Sequence, residues 1–313
     1  MICISSSMCG LFGLLRSPVA DRPDAASDAL VALGMLAEER GRDSAGLALV
    51  SGAPSGPGYQ DDRRSDLNHD GCRVIKGRGP FSGIWRSDLL AALDAAPVVL
   101  GHTRWATQGT PYDLANASPM LVTAPGTGVI ATHNGDVEAG ALRAAFALPP
   151  ALGTTDSEPI FQLLAGTRTP DDVTGVLTTL VGRAALAWVD RARPGRVHLA
   201  RAALSPLAVA LDTDRNLYWA SNPRWFREVG RHTGVTFATV VMLREGTYLR
   251  LDAGPRVAKA TFRPTARAID LDPRVWTGFT ESDMRLDREG LLHDIAAPAP
   301  VPGPNTGGYA TLS

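Results

Sequence analysis

The sequence predicts an α+β fold because it combines an amphipathic helix with a later run of short, tightly connected strands. Residues 24–40 carry apolar side chains at Leu30, Leu33 and Leu36, a spacing that places them on one face of a helix. Residues 184–251 consist of short apolar segments separated by turn residues, which is typical of strands. Strands joined by such short turns pair in the antiparallel sense.

Local signals place the remaining elements. Helices are predicted at 87–96 and at 158–164, where Asp156 stands at the position of an N-terminal cap. Residues 244–246 predict the turn of a hairpin, and residues 51–71, rich in Gly, Pro, Asp and Arg, predict an exposed loop. The predicted strands are 47–50, 98–103, 128–133, 184–189, 197–201, 207–211, 217–221, 240–243 and 247–251.

The composition is that of an ordinary globular protein, with 44% hydrophobic residues, 20% charged residues and a formal net charge of −1. The balanced charge gives no reason to expect a nucleic acid or an anionic membrane as a partner. No apolar run approaches the roughly 20 residues of a membrane helix. The cysteines, Cys3, Cys9 and Cys72, form neither a disulfide pattern nor a zinc site. We therefore expect a reducing compartment, with the cytoplasm as the default.

Cys9 is the first candidate for catalysis, because it follows Met8 directly and precedes Gly10 and an apolar strand. If Cys9 became the N-terminus, one residue would carry both a thiol and a free α-amine, whose pKa values are about 8.5 and about 8. The amine can then activate its own thiol without a histidine. The alternative is an unreactive thiol near a frayed terminus or in the core. The Cys9 motif alone does not decide between them.

Two other apolar strands deliver polar residues at their ends. Arg104 follows the first strand, and its planar guanidinium suits an amino-acid α-carboxylate; the alternative is a structural arginine paired with an acid. Asn134 and Gly135 follow the second strand, and an amide beside an unhindered backbone N–H can form an oxyanion hole. The same dipeptide is also common in type I′ turns.

Asp156 has two interpretations as well, since its carboxylate either caps the following helix or receives an α-ammonium group. Six histidines show no metal-ligand spacing, so we expect no metal and no cofactor. Two of them, His102 and His133, end strands, and we expect structural histidines near the site there.

Six motifs that cover roughly residues 9–251 occur in an order typical of one protein family. They are Cys9-Gly10-Leu11-Phe12-Gly13, Arg42-Asp43-Ser44-Ala45-Gly46, Gly101-His102-Thr103-Arg104-Trp105-Ala106-Thr107, Asn116-Ala117-Ser118-Pro119, His133-Asn134-Gly135 and Thr155-Asp156-Ser157-Glu158. Together they resemble the class II glutamine amidotransferase domain. They are most similar to the glutaminase half of glucosamine-fructose-6-phosphate aminotransferase.

The resemblance implies an N-terminal-nucleophile hydrolase, in which two antiparallel sheets pack between helices in a four-layer αββα sandwich. It also implies L-glutamine as the substrate and a role for each matching residue. Cys9 is the implied nucleophile, Arg104 binds the α-carboxylate, Asp156 binds the α-ammonium group, Asn134 and Gly135 form the oxyanion hole, and Trp105 and Thr107 line the pocket.

The chain departs from the family pattern at several positions. Seven residues precede Met8, and Gln108 and Ser118 stand where the family often has histidine. Nothing after Leu251 resembles a sugar-isomerase or phosphoribosyltransferase domain. We expect residues 1–8 to be a leader or a misassigned start.

The rest of the chain then divides into an amidotransferase domain at residues 9–261 and an irregular, partly disordered tail at 262–313. The expected reaction is hydrolysis of the glutamine side-chain amide through a cysteinyl thioester, with ammonia passed to a separately encoded synthetase or transferase. Two alternatives are a stand-alone amidohydrolase for another γ-glutamyl amide and a non-catalytic glutamine-binding protein.

Overall fold

The computed structural model describes residues 9–51, 58–124, 127–252 and 256–267. The strands are β1 (Gly10–Leu15), β2 (Ser44–Val50), β3 (Tyr59–Gln60), β4 (Arg64–His69), β5 (Cys72–Arg78), β6 (Val98–Arg104), β7 (Met120–Ala124), β8 (Thr127–Val137), β9 (Gly182–Asp190), β10 (Arg196–Arg201), β11 (Ala208–Asp212), β12 (Leu217–Ala220), β13 (Phe237–Met242), β14 (Thr247–Asp252) and β15 (Val257–Thr261). The helices are α1 (Pro23–Ala37), α2 (Phe81–Ile84), α3 (Leu90–Ala95), α4 (Ala139–Phe146), α5 (Ser157–Ala165), α6 (Pro170–Thr178) and α7 (Arg224–His232).

The described strands form two antiparallel sheets. The larger sheet has the order β13-β11-β12-β1-β6-β2-β5-β4-β3, and the smaller sheet has the order β15-β14-β10-β9-β8-β7. Three apolar clusters separate four layers. Helices α1, α2, α3 and α7 cover one face of the larger sheet, the two sheets pack against each other, and α4, α5 and α6 cover the smaller sheet. The predicted αββα sandwich is confirmed.

Strand β1 lies near the middle of the larger sheet because all six of its residues are apolar or glycine and all are buried. Phe12 points toward the helical layer, whereas Leu11 points toward the second sheet, as the two-residue period of a strand requires. Gly13 leaves room for Trp219, since a Cβ there would lie 2.1 Å from the indole ring. Gly10 pairs with Thr103 of β6, so Cys9 lies beside the end of β6.

The predicted loop at residues 51–71 is wrong in its second part. Strand β4 occupies Arg64–His69 and pairs with β5 along its whole length. The strand escaped the sequence analysis because its buried positions are polar: Ser65 and Asp66 are both buried, and Arg73 binds Asp66 through two hydrogen bonds of 2.8 Å. A strand stabilised by polar pairing lacks the apolar alternation on which the prediction depends.

The predicted hairpin at residues 244–246 is also wrong. Strand β13 pairs with β11 in the larger sheet, whereas β14 pairs with β10 and β15 in the smaller sheet. The turn therefore crosses from one sheet to the other. Leu243 donates its backbone N–H to Leu207 O at 2.9 Å, and Gly246 donates to Arg201 O at 2.9 Å, so the two sides of the turn bond to different neighbours.

The predicted helix at 24–40 is confirmed with an earlier end at Ala37. The irregular tail predicted at 262–313 stays a prediction; within its described part, Gly182 of β9 donates to Thr265 O at 2.9 Å in an isolated bridge. Residues 268–313 and the leader 1–8 lie outside the described residues. None of the described helices is long and apolar enough to cross a membrane.

Candidate active site

A small cavity lies where β1, β6, β8 and α5 approach one another. All of its lining residues except Gln108 come from five of the six motifs found in the sequence. The lining residues are Cys9, His102, Arg104, Trp105, Thr107, Gln108, Asn116, Ser118, His133, Gly135, Thr155, Asp156 and Ser157. The structure thus brings every candidate site residue into this lining except Asn134, which is buried next to Gly135.

Cys9 is positioned by one hydrogen bond of its side chain and one of its backbone. Its thiol donates to Trp105 O at 3.5 Å, and its carbonyl oxygen accepts a hydrogen bond of 2.8 Å from Arg40 Nε. Burial raises the pKa of the Cys9 thiol above its ordinary value, although Arg104 and Arg40 act in the opposite direction. The thiol is therefore protonated at neutral pH and needs a base before it can attack.

Arg104 is buried, with 5% of its surface exposed, and its guanidinium contacts only carbonyl oxygens among the described residues. It donates to Gln108 O at 2.5 Å, to Gly109 O at 3.2 Å and to Thr110 O at 3.2 Å. No acid of the described chain forms an ion pair with it, which contradicts the alternative of a structural arginine paired with an acid. Neutral carbonyl partners leave its positive charge available for an anionic ligand.

Two hydrogen bonds attach the loop that supplies these carbonyls to other parts of the site. Ala106 N donates to Asp43 Oδ2 at 2.8 Å, and Gln108 Nε2 donates to Asp136 Oδ1 at 2.6 Å. The second oxygen of Asp136 accepts a hydrogen bond of 2.8 Å from Arg267. The chain beyond residue 261 thus reaches the site through one carboxylate.

Asn134 and Gly135 lie inside β8, which continues to Val137, so the alternative of a type I′ turn is wrong. Gly135 pairs with Ala184 and has φ 156°, and a Cβ there would lie 2.0 Å from Arg183 O. Only glycine fits this position. The Asn134 side chain is 1% exposed; its Nδ2 lies 3.0 Å from Ser221 Oγ, and its Oδ1 is buried without a hydrogen-bond partner.

Asp156 does not cap α5 with its side chain, so the capping interpretation is wrong. Its Oδ2 instead accepts a hydrogen bond of 2.9 Å from Val137 N, and His133 Nδ1 lies 3.9 Å from the same oxygen. Burial raises the pKa of the Asp156 carboxyl, and the nearby His133 opposes this shift. The result is a buried carboxyl group that lines the same cavity as Arg104.

The two histidines of the site have backbone and hydroxyl partners. His102 Nε2 lies 2.9 Å from His133 O, and because a carbonyl only accepts, Nε2 carries the proton. Burial lowers the pKa of His102 to about 3, so this ring is neutral at physiological pH. His133 Nδ1 lies 3.0 Å from Ser157 Oγ. The described residues contain no cluster of side chains able to hold a metal ion.

Cys72 differs from Cys9 in both position and environment. It lies in β5 with 3% of its surface exposed, away from the cavity residues, and burial raises its pKa to about 12. Burial raises the pKa of both thiols, so their positions distinguish them: Cys9 lines the cavity, whereas Cys72 does not. Cys9 is therefore the reactive candidate among the cysteines in the described part of the chain.

A larger concavity lies at the β4 edge of the larger sheet. Arginines and aspartates line it, but its acidic groups are already occupied. Asp66 binds Arg73 through both oxygens, and Asp61 accepts hydrogen bonds from Arg63 N and Arg64 N. It contains no nucleophile, so the smaller cavity around Cys9 is the candidate for chemistry.

Known proteins of two kinds resemble the chain. A glutamine–fructose-6-phosphate aminotransferase (isomerizing) of Agrobacterium fabrum is 33% identical over 211 residues, which cover 64% of the chain and 30% of that relative. The enzyme of the same name from Caulobacter vibrioides is 29% identical over 311 residues, which cover 93% of the chain and 44% of the relative. An amidophosphoribosyltransferase of Rattus norvegicus is 33% identical over 167 residues, which cover 51% of the chain and 28% of the relative.

The matches to these relatives cover 64%, 93% and 51% of the chain. The chain carries a class II glutamine amidotransferase domain. No protein-family model matches the chain. The chain spans less than half the length of these relatives, whose names also describe an acceptor reaction.

The fold of the amidotransferase domain matches a solved structure as well. Glutamine phosphoribosylpyrophosphate amidotransferase from B. subtilis, complexed with ADP and GMP, superposes with a TM-score of 0.58 over 81% of this chain and 49% of that chain. The sequence identity is 20%, so this likeness concerns the fold alone.

The sequence analysis missed several residues that organise the site of the amidotransferase domain. Ser221 contacts Asn134, Asp136 binds Gln108, and Arg40 binds the Cys9 carbonyl. Asp136 directly follows the Asn134-Gly135 pair, and this adjacency was the signal that could have indicated it. Nothing local indicated Ser221, which is 87 residues from Asn134 in the sequence.

Proposed function

We propose that the amidotransferase domain hydrolyses the side-chain amide of L-glutamine to glutamate and ammonia. The observation that carries this proposal is the enclosure of the Cys9 thiol, the Arg104 guanidinium and the Asp156 carboxyl group in one small cavity. A zwitterionic amino acid needs a cation and an anion for its two charged groups. An amide side chain needs a nucleophile, and here one lies on the same cavity wall.

Arg104 is the proposed partner of the α-carboxylate. Its planar fork can donate two parallel hydrogen bonds to a carboxylate, which are stronger than its present bonds to the carbonyls of Gln108 and Thr110. Asp156 is the proposed partner of the α-ammonium group. Trp105 and Thr107 belong to the loop that closes the cavity, and we propose that they hold the glutamine side chain in line with Cys9.

The proposed base is the α-amine of Cys9 itself. It takes the thiol proton while Sγ forms a bond to the amide carbon, and the electron pair of the carbonyl moves to oxygen. The tetrahedral oxyanion is stabilised by Gly135 N–H and Asn134 Nδ2. When the C–N bond breaks, the protonated α-amine of Cys9 returns its proton to the leaving nitrogen, which departs as ammonia.

Water then completes the reaction. The α-amine takes a proton from the water, whose oxygen attacks the thioester carbon. The C–S bond breaks, sulfur regains the proton, and glutamate leaves. His102 does not compete for the role of base, because a ring with a pKa of about 3 is too weakly basic at neutral pH and its Nε2 proton is committed to His133 O.

The fate of the ammonia belongs to the same proposal. The relatives are named glutamine–fructose-6-phosphate aminotransferase and amidophosphoribosyltransferase. We propose that ammonia from this domain passes to a synthetase or transferase, which we place on a separate polypeptide. Residues 9–261 are the proposed extent of the glutaminase unit.

The test compares Cys9→Ser with Cys72→Ser in purified protein. Cys9→Ser should bind glutamine in a calorimeter but release almost no glutamate or ammonia, because a hydroxyl with an amine base is a far weaker nucleophile than a thiol. Cys72→Ser should retain the activity. Near-normal glutamate release by Cys9→Ser would disprove the nucleophile. A wild-type enzyme that ignores glutamine but cleaves another γ-glutamyl amide would disprove the substrate.

A further inference from the structure

Ser221 connects the strand that carries the nucleophile to the proposed oxyanion hole. It follows β12 and is fully buried. Its hydroxyl oxygen accepts a hydrogen bond of 2.9 Å from Leu11 N, two residues after Cys9, and its own N–H donates to Leu11 O at 2.8 Å. Asn134 Nδ2 lies 3.0 Å from the same hydroxyl oxygen.

This arrangement leaves two polar groups without partners. With Nδ2 facing Ser221, the serine oxygen accepts two hydrogen bonds, and its own proton finds no acceptor among the described residues. The other amide atom, Asn134 Oδ1, is buried without a partner. Buried polar groups without partners cost free energy and are rare in folded proteins.

A half-turn of the amide about its last side-chain bond gives the Ser221 proton and Asn134 Oδ1 a partner in each other and leaves the NH₂ group as the one without a partner. Oxygen and nitrogen of an amide are nearly isosteric, and their assignment depends on the hydrogen-bond network. After the turn, Ser221 Oγ–H donates to Asn134 Oδ1 over the same 3.0 Å, while Oγ still accepts from Leu11 N. The amide NH₂ then takes the position of the unpartnered oxygen and has a free donor.

We propose that Ser221 is a positioning residue that fixes the orientation of the Asn134 amide, so that Nδ2 rather than Oδ1 is presented to the oxyanion. This inference rests on the proposed function. Ser221 does not touch the substrate. It selects the orientation because Leu11 N–H occupies one lone pair of its oxygen, and its single proton requires an acceptor that only Oδ1 can supply.

The predicted signature is a loss of kcat without a loss of ground-state binding. Removing one oxyanion donor typically lowers kcat by about 100-fold or more. Ser221→Ala leaves the amide in place but free to turn, so its kcat should fall by about 10-fold to about 100-fold, less than in Asn134→Ala. The KM for glutamine should stay within about twofold, because the two charged groups of glutamine still bind Arg104 and Asp156.

A second measurement separates positioning from a general structural role. The Cys9 thiol adds to the aldehyde carbon of the γ-aldehyde analogue of glutamate and forms a thiohemiacetal. The oxygen of this thiohemiacetal occupies the oxyanion position. Glutamate itself forms no such bond. In Ser221→Ala, the affinity for the aldehyde should fall by about the same factor as kcat, whereas the affinity for glutamate should not change.

Ser205→Ala is the matched control, since Ser205 is equally buried and its hydroxyl has no hydrogen-bond partner. It should keep kcat and both affinities.

If Ser221→Ala does not fold, Ser221→Cys takes its place: a thiol has nearly the same shape but is a weaker donor, so kcat should again fall while KM stays. The double variant Ser221→Ala/Asn134→Ala should be no slower than Asn134→Ala, because both changes act through one amide.

Each outcome decides the inference. If kcat of Ser221→Ala stays within about twofold while Asn134→Ala is slow, the positioning role is overturned and the proposed function stands. If Asn134→Ala is fully active, the oxyanion assignment in the proposed function fails, and the role of Ser221 fails with it. If Ser221→Ala weakens aldehyde and glutamate binding equally, the effect is a general disturbance of the site, and the inference is overturned.

Discussion

Gln108 donates a hydrogen bond of 2.6 Å to Asp136, which joins the loop after β6 to the end of β8. The same loop offers its carbonyl oxygens to Arg104. Asp136 is in turn held by Arg267, which follows the last strand of the smaller sheet. Gln108 therefore has a partner of its own, and the pair sets the position of the loop around the proposed carboxylate site.

Gln108→Ala should raise the KM for glutamine by about 10-fold and change kcat little, because a hydrogen bond to a charged group contributes about 1.5 kcal/mol or more. The loop would lose its attachment to β8, so Arg104 would be less well placed to bind glutamine. Steady-state kinetics test this. Gln162→Ala is the control, since the Gln162 side-chain amide also donates a hydrogen bond, to Pro149 O at 3.3 Å, but lies on α5 away from the loop. An unchanged KM in Gln108→Ala would show that the loop is held by other contacts.

Arg104→Lys should mainly raise the KM for glutamine. Lysine keeps the positive charge but loses the two-pronged contact, which weakens binding by about 1–3 kcal/mol, or about 5-fold to about 150-fold. Substrate analogues provide the check: an amide that lacks the α-carboxylate should be hydrolysed equally poorly by both proteins. If the KM for glutamine does not change, another group recognises the carboxylate.

Glutamine binding should weaken in acid as Asp156 becomes protonated. Burial raises the pKa of this carboxyl above about 3.9, so the folded protein takes up this proton at a higher pH than the unfolded chain does. The raised pKa stabilises the folded protein at low pH, and this stabilisation is lost as the pH rises through the pKa of Asp156 in the folded protein. Glutamine binding has the opposite pH dependence and strengthens as the pH rises, because the α-ammonium group of glutamine requires the ionised carboxylate of Asp156.

Calorimetry with the inactive Cys9→Ser protein measures this dependence directly. The affinity for glutamine should fall as the pH is lowered from about 8 toward about 4, with a midpoint above the ordinary value for aspartate. Asp156→Asn should bind weakly at every pH and lack this transition. The same transition in Asp156→Asn would assign it to another group.

The sequence predicted elements with strong apolar periodicity and missed those held by polar or distant contacts. The buried alternation of β1 and the stripe of α1 are visible in the residues themselves. Strand β4 was missed because Asp66 and Arg73 replace the apolar pattern. The crossing turn at 244–246 was mistaken for a hairpin, since a turn signal gives the direction of the chain but not the sheet that the next strand joins.

The same division holds for the site. Arg104, Asp156 and Gly135 were found through local motifs, and the structure places all three on one cavity wall. The capping and turn alternatives for Asp156 and Asn134 were removed only by contacts with Val137 and by the pairing of β8 with β9. Partners such as Ser221 are brought close by the packing of two sheets, and no spacing within the sequence encodes that proximity.

Glutaminase activity should require that Cys9 be the N-terminal residue. Burial raises the pKa of its thiol, so the thiol needs a base. A free α-amine, with a pKa of about 8, can serve, whereas the amide nitrogen of an internal residue cannot accept a proton at neutral pH. Intact-mass measurement of the protein from its native host should therefore show chains that begin at Cys9.

In a matched experiment, the protein is produced with a protease site that ends directly before Cys9. Uncut protein should be inactive, and glutamate release should rise in proportion to cleavage. A Cys9→Ser version of the same protein should remain inactive after the cut. Full activity in chains that retain Met8 would disprove the role of the α-amine and leave the base to be found elsewhere in the cavity.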